Sequence, residues 1–112
     1  MADDRITRGR MALLHTGDEY DKYQNAVVPP VFLNSLHVFD SVEEYYSADL
    51  FSDTDFVYGR DGNPTVHILE RKLAQLEHGC RAVVFSSGMA AFSAALMAVC
   101  RAGSHVICMR DI

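Results

Sequence analysis

Two short segments hold the residue types that can bind an anion. The first is Ser86-Ser87-Gly88-Met89-Ala90. A helix that starts here turns its free N–H groups and the positive end of its dipole toward the turn. Gly88 lets a ligand approach the backbone, and the serine hydroxyls add donors. A phosphate suits such a place. The same residues also make an ordinary strand-to-helix turn in which serine is only a cap. The segment has neither GxGxxG spacing nor a Gly-Lys-Ser/Thr ending, so it is not a dinucleotide fingerprint or a Walker A loop. The second segment is Tyr58-Gly59-Arg60-Asp61-Gly62-Asn63-Pro64-Thr65. Arg60 can grip a phosphate or carboxylate with two parallel donors, and Tyr58 offers a hydroxyl. Read plainly, it is a turn before a capped helix, with Tyr58 and Arg60 at the surface. The five histidines (His15, His37, His67, His78, His105) are scattered, and none pairs with another at helical ligand spacing. Cys80, Cys100 and Cys108 show no CxxC spacing. They read as thiols of a reducing compartment, with Cys100 and Cys108 in apolar surroundings that favour core packing.

The elements around these segments follow from pattern. Asn63-Pro64 predicts a helix start, with Asn as N-cap and Pro at the first helical position. Val66, Leu69, Leu73 and Leu76 then recur at helical spacing, and Gly79 is expected to close the helix. Ala82 to Phe85 predicts a short apolar strand. Met89 to Arg101 is apolar nearly all round, which predicts a buried helix. His105 to Met109 predicts a second buried strand. Strand, glycine turn, helix and strand make a βαβ unit with parallel strands. Upstream, Thr7 to His15 predicts a short helix ending at Gly17. Pro29-Pro30 fixes the backbone of an extended run, and Asp40-Ser41 before Glu43-Glu44 predicts a helix start. Residues 1–57 thus form an expected extended arm with short helices, and residues 58–112 the start of a larger α/β domain.

Composition narrows the function classes. The chain has 112 residues, a net charge of -5, 49% apolar and 22% charged side chains. That is the profile of a globular chain of at most one domain, not of a disordered one. The first half is acidic and the second slightly basic, with neither basic enough for nucleic acid. No run reaches the roughly 18 apolar residues of a membrane span. Arg5, Arg8 and Arg10 are not followed by an apolar signal core, so a cytoplasmic location is expected.

Taken in order, Tyr58 to Thr65, Leu69-Glu70, Leu73-Ala74-Gln75-Leu76-Glu77 and Ser87-Gly88-Met89-Ala90-Ala91 resemble the Cys/Met-metabolism family of pyridoxal-phosphate enzymes. That family includes cystathionine γ-synthase, cystathionine β- and γ-lyases, methionine γ-lyase and O-acetylhomoserine sulfhydrylase. His15-Thr16-Gly17 and Val28-Pro29-Pro30-Val31-Phe32 agree with it. The resemblance implies the arm and first βαβ unit of a fold-type-I large domain. It implies pyridoxal 5′-phosphate as cofactor, with Ser87, Gly88 and Met89 on its phosphate. Tyr58 and Arg60 would reach the phosphate of the neighbouring subunit, making a homotetramer with shared active sites. The activity implied is trans-sulfuration chemistry: eliminating or replacing a γ- or β-substituent of an amino acid such as cystathionine, methionine or O-acylhomoserine. Gly103-Ser104-His105 and Asn34-Ser35-Leu36-His37 depart from the family pattern, which weakens transfer of any one substrate preference.

Pyridoxal-phosphate chemistry needs a Schiff-base lysine. The two lysines here, Lys22 and Lys72, sit in polar or helical sequence and read as solvated surface residues. The family lysine, and the ring-stacking aromatic and ring-pairing Asp, are expected in later sequence. The chain is therefore expected to be an N-terminal fragment, inactive alone and prone to aggregate. The alternative is a truncated, non-catalytic homologue that acts as an interaction or regulatory module.

Overall fold

The computed structural model describes residues 2–49, 52 and 54–110. The described residues form four α-helices: α1 (Ala2–His15), α2 (Val42–Ser47), α3 (Pro64–Leu76) and α4 (Gly88–Val99). A single 3-10 turn, Tyr20–Tyr23, follows α1. α1 is longer than the expected Thr7–His15 segment.

α3 begins as its sequence demands. Asn63 is extended (φ -140°, ψ 130°), its Oδ1 accepts from Thr65 N at 2.9 Å, and Pro64 occupies the first turn. Its end corrects an expectation. Gly79 is not the left-handed residue; His78 is, with φ 55°. His78 N donates to Gln75 O at 3.3 Å and Gly79 N to Ala74 O at 2.8 Å. This reciprocal pair is the Schellman stop, and it places His78 where glycine is usual.

α1 and α3 are the one pair of described elements packed together, and they run antiparallel. A Cβ on Gly9 would lie 3.6 Å from Leu76 Cδ1, and one on Gly17 would lie 2.9 Å from Ile68 Cγ2. Between those points, Lys72 Nζ donates to Leu13 O at 2.8 Å and Leu14 O at 3.4 Å. The ammonium thus serves carbonyls that the end of α1 leaves without helical donors. Lys72 is therefore a tether between two helices rather than a merely solvated side chain. Thr16 Oγ1 donates to Gln75 Oε1. Arg71 Nη1 reaches Glu19 Oε1 at 3.3 Å, and Lys22 Nζ reaches Glu19 Oε2 at 2.7 Å. Ala74 is the one buried apolar residue among the described residues.

The arm is laid along α3 and the loop before it. Phe32 N donates to Thr65 Oγ1 at 2.9 Å, and Asn63 Nδ2 donates to Phe32 O at 3.0 Å. Leu36 then forms an antiparallel bridge with Tyr58. Gly59 N donates to Ser35 O at 2.8 Å. A Cβ on Gly59 would sit 2.9 Å from Asn34 O, so only glycine allows this approach.

No strand ladder forms among the described residues, only that bridge. Segments 82–85 and 105–109 have no regular partner, and parallel pairing within a βαβ unit is not formed. α4 spans Gly88–Val99 and packs on no other described element, so the expected burial is not seen among the described residues. Met89, Met97 and Val99 are each more than 70% exposed. Cys108 is exposed and Cys100 half-buried, against the expected core role of the first. The Cα radius of gyration is 18.0 Å, against about 13 Å for a compact chain of this length.

Candidate functional site

Ser87 caps α4 as a helix start should be capped. Its backbone is extended (φ -153°, ψ 154°), and its Oγ accepts from Ala90 N at 3.2 Å. The first backbone bond of the helix runs from Ala91 N to Ser87 O at 3.1 Å. The N–H groups of Gly88 and Met89 precede it and so point out of the helix end. A Cβ on Gly88 would meet nothing within 4 Å. Ser87, Gly88 and Met89 are exposed. The donor set is therefore two backbone N–H groups and one hydroxyl whose proton remains available, in open space at the positive end of a twelve-residue helix. These residues fit the phosphate of pyridoxal 5′-phosphate.

Tyr58 and Arg60 sit on the tight turn that follows the bridge to Leu36. Asp61 N and Gly62 N both donate to Tyr58 O, at 2.9 and 3.0 Å. Tyr58 is half-buried and Arg60 exposed. The Arg60 guanidinium carbon lies 5.0 Å from the Tyr58 ring centroid, within cation–π range. The structure brings these two residues together. No described hydrogen bond or ion pair joins them to Ser87, Gly88 or Met89.

Two supporting contacts were not visible as such in the sequence. Glu70 Oε1 accepts from Val84 N at 2.9 Å, which ties α3 to the segment before the Ser86-Ser87 turn. The side-chain amide of Asn63 serves the arm as well as the cap. Only the capping role of Asn63 has a local signal; contacts 31 and 14 residues apart in sequence have none.

Electrostatic shifts lie away from both segments. Lys22 and then Arg71 hold the Glu19 carboxyl below its usual range through hydrogen bonds, and Glu19 in turn raises Lys22. The Asp18 carboxylate, accepting from the Tyr20 hydroxyl at 3.1 Å, raises Tyr20. The backbone N–H of Asp49 and the Thr54 hydroxyl lower Asp55. None of these groups touches the phosphate-type donors, so they stabilise the arm rather than tune chemistry. Both lysines are engaged elsewhere, Lys22 with Glu19 and Lys72 with α1. No helix among the described residues is long and apolar enough to cross a membrane.

Comparison with known proteins identifies the family of the chain. The chain is 38% identical over 94 residues to L-methionine gamma-lyase of Fusobacterium nucleatum subsp. polymorphum, covering 84% of this chain and 24% of that protein. It is equally similar to O-acetyl-L-homoserine sulfhydrylase of Corynebacterium glutamicum, at 38% over 94 residues, 84% of this chain and 22% of that protein. It is 37% identical over 102 residues to a putative cystathionine gamma-lyase 2 of Caenorhabditis elegans, 90% of this chain and 24% of that protein. The chain thus spans less than a quarter of the length of these relatives. The family model for Cys/Met metabolism PLP-dependent enzymes matches residues 10–112, a range that includes both candidate segments and α3. This chain belongs to the Cys/Met metabolism family of PLP-dependent enzymes.

Proposed function

We propose that this chain supplies the phosphate anchor of a pyridoxal-phosphate enzyme of sulfur amino acid metabolism, one that eliminates or replaces a γ- or β-substituent of an amino acid. The observation that carries the proposal is the Ser87-capped start of α4, open above Gly88, inside a segment matched by the family. Met89 and Gly88 present N–H groups to the phosphate, and Ser87 adds its hydroxyl. Arg60, with Tyr58 beside it, adds a guanidinium to the phosphate held by a neighbouring copy. Paired charges of this kind favour the dianion and fix its orientation. The cofactor, when bound, supplies an electron sink for a carbanion on the amino acid. The chain's own share is anchoring; proton transfer is assigned to residues outside Met1–Ile112, because Lys22 and Lys72 are committed to structural contacts. Residues 1–57 act as the arm and 58–112 as the opening of the cofactor-binding domain, with 82–85 and 105–109 pairing as parallel strands once neighbouring strands are present. The assembly is a homo-oligomer, expected to be a cytoplasmic homotetramer, with an active site shared between subunits.

The test compares pyridoxal 5′-phosphate with pyridoxal, which lacks the phosphate. Backbone amide shifts at Gly88 and Met89 should respond to the first and not the second. Equal responses would remove the phosphate from the proposal. Borohydride treatment should trap no single lysine in this chain; a unique adduct at Lys72 would overturn the assignment of roles.

A further inference from the structure

We propose that Glu70 is a positioning residue for the Ser87-Gly88-Met89 turn, an inference that rests on the phosphate-anchor reading. Among the described elements α4 packs on no other, so its start is placed through the segment that leads into it. Among the described hydrogen bonds, one ties that segment to α3. Glu70 Oε1 accepts from Val84 N at 2.9 Å, across 14 residues of chain, and Val84 stands three residues before the cap. Among the described hydrogen bonds, no other joins residues 82–90 to another element.

Glu70 is well placed to act as a fixed support. Its side chain is only 16% exposed, and its second oxygen lies 3.8 Å from His67 Nε2. The His67 ring packs edge-on to Phe56 at 5.2 Å between centroids. α3 beneath it is fixed at both ends, by the Asn63 cap and by the stop at His78. An N–H donated to a carboxylate is roughly twice as strong as one between neutral groups. Glu70 therefore transmits the position of α3 to Val84, and the three residues that follow carry it to the Ser87 cap. Neither Glu70 nor Val84 touches the phosphate; the effect is on where the donors stand.

The experiment is residue-resolved amide hydrogen exchange on the full 112-residue chain, with Glu70→Ala and Glu70→Gln. Gln keeps an oxygen acceptor for Val84 N. In Glu70→Ala, exchange at Val84 and at Ala90, which reports the Ser87 cap, should each accelerate by about tenfold or more, while Glu77 at the end of α3 keeps its protection. In Glu70→Gln, Ala90 and Glu77 should stay near the parent value, and Val84 should lose only part of its protection to the neutral acceptor. Faster exchange at Val84 with Ala90 unchanged would overturn the proposal, since the bond would then be local. No change at Val84 would also overturn it. If Glu70→Ala loosens α3 as well, Glu70→Gln decides: retained protection at Ala90 supports the proposal, and its loss sinks it. Inorganic phosphate added to the parent chain separates the two readings. Amide shifts at Gly88 and Met89 support the anchor. Their absence, with Ala90 still dependent on Glu70, removes the anchor and leaves the positioning standing.

Discussion

At the scale of single residues, Arg60 carries the sharpest expectation. Its guanidinium lies against the ring of Tyr58, exposed, on a turn closed by two N–H groups on one carbonyl. A flat cation held over an aromatic face loses less side-chain freedom when it meets a phosphate than a free one does. In the holoenzyme, Arg60→Ala should weaken retention of pyridoxal 5′-phosphate by roughly 1.5–3 kcal/mol, the scale of a charged hydrogen bond. Arg60→Lys should recover only part, because a point charge cannot reproduce the paired donors. Cofactor dissociation followed by absorbance checks both, and an unchanged dissociation constant in Arg60→Ala would remove Arg60 from the site.

At the scale of elements, Asn63 does two separable things. Its Oδ1 caps α3 and its Nδ2 holds Phe32 O. Asn63→Ala should cost about 1 kcal/mol for the cap and release the arm as well. Asn63→Asp keeps the cap acceptor but loses the donor to Phe32 O, so helicity should return while the Phe32 carbonyl carbon shift stays displaced, as in Asn63→Ala. Circular dichroism with that carbonyl shift distinguishes the two. The Glu19 link between the arm and α3 should fail in acid. Its carboxyl titrates below the usual value of 4.5 when folded, so its contribution is present above about that pH and lost as pH falls through the lowered value. The pair is partly exposed and the effect small; Glu19→Gln should abolish this acid step in the α1–α3 docking signal.

The starts of α3 and α4 were legible because a cap is a local event. Asn63 before Pro64, and Ser87 before Gly88, each satisfy a donor two or three residues away. The end of α3 falls one residue before the Gly79 that sequence favours, because glycine is the default bearer of a positive φ, whereas here His78 takes it. The strands were not recovered for a different reason. A strand exists only when another strand accepts its hydrogen bonds, and among the described residues none lies alongside 82–85 or 105–109. Of the candidate site, the donor turn and the Tyr58–Arg60 pair were readable as local motifs. The support from Glu70 and the arm's grip on Asn63 were not, since nothing local marks which distant residue will arrive.

At the scale of the whole molecule, the described residues enclose almost no core. Val38, Ile107 and Leu33 are each more than 90% exposed, and α4 shows apolar side chains on several faces. Soluble chains rarely leave so much contiguous apolar surface uncovered. The isolated chain should therefore self-associate, and sedimentation across a concentration series should show mass rising with concentration. A monomer that unfolds in one cooperative transition would contradict this.

The antiparallel pairing of α1 with α3 also sets a timetable. Thr16 meets Gln75, and Leu13 meets Lys72, across 59 residues of chain. During synthesis at roughly 5–20 residues per second, α1 leaves the ribosome about 3–12 s before the residues that dock it. Through that interval Gly17 has no Ile68 to lie against, and the last carbonyls of α1 have no ammonium. The helix must wait as a marginal, solvent-facing turn or in the care of a nascent-chain binder. Codon choice between residues 18 and 75 would then govern how long it waits.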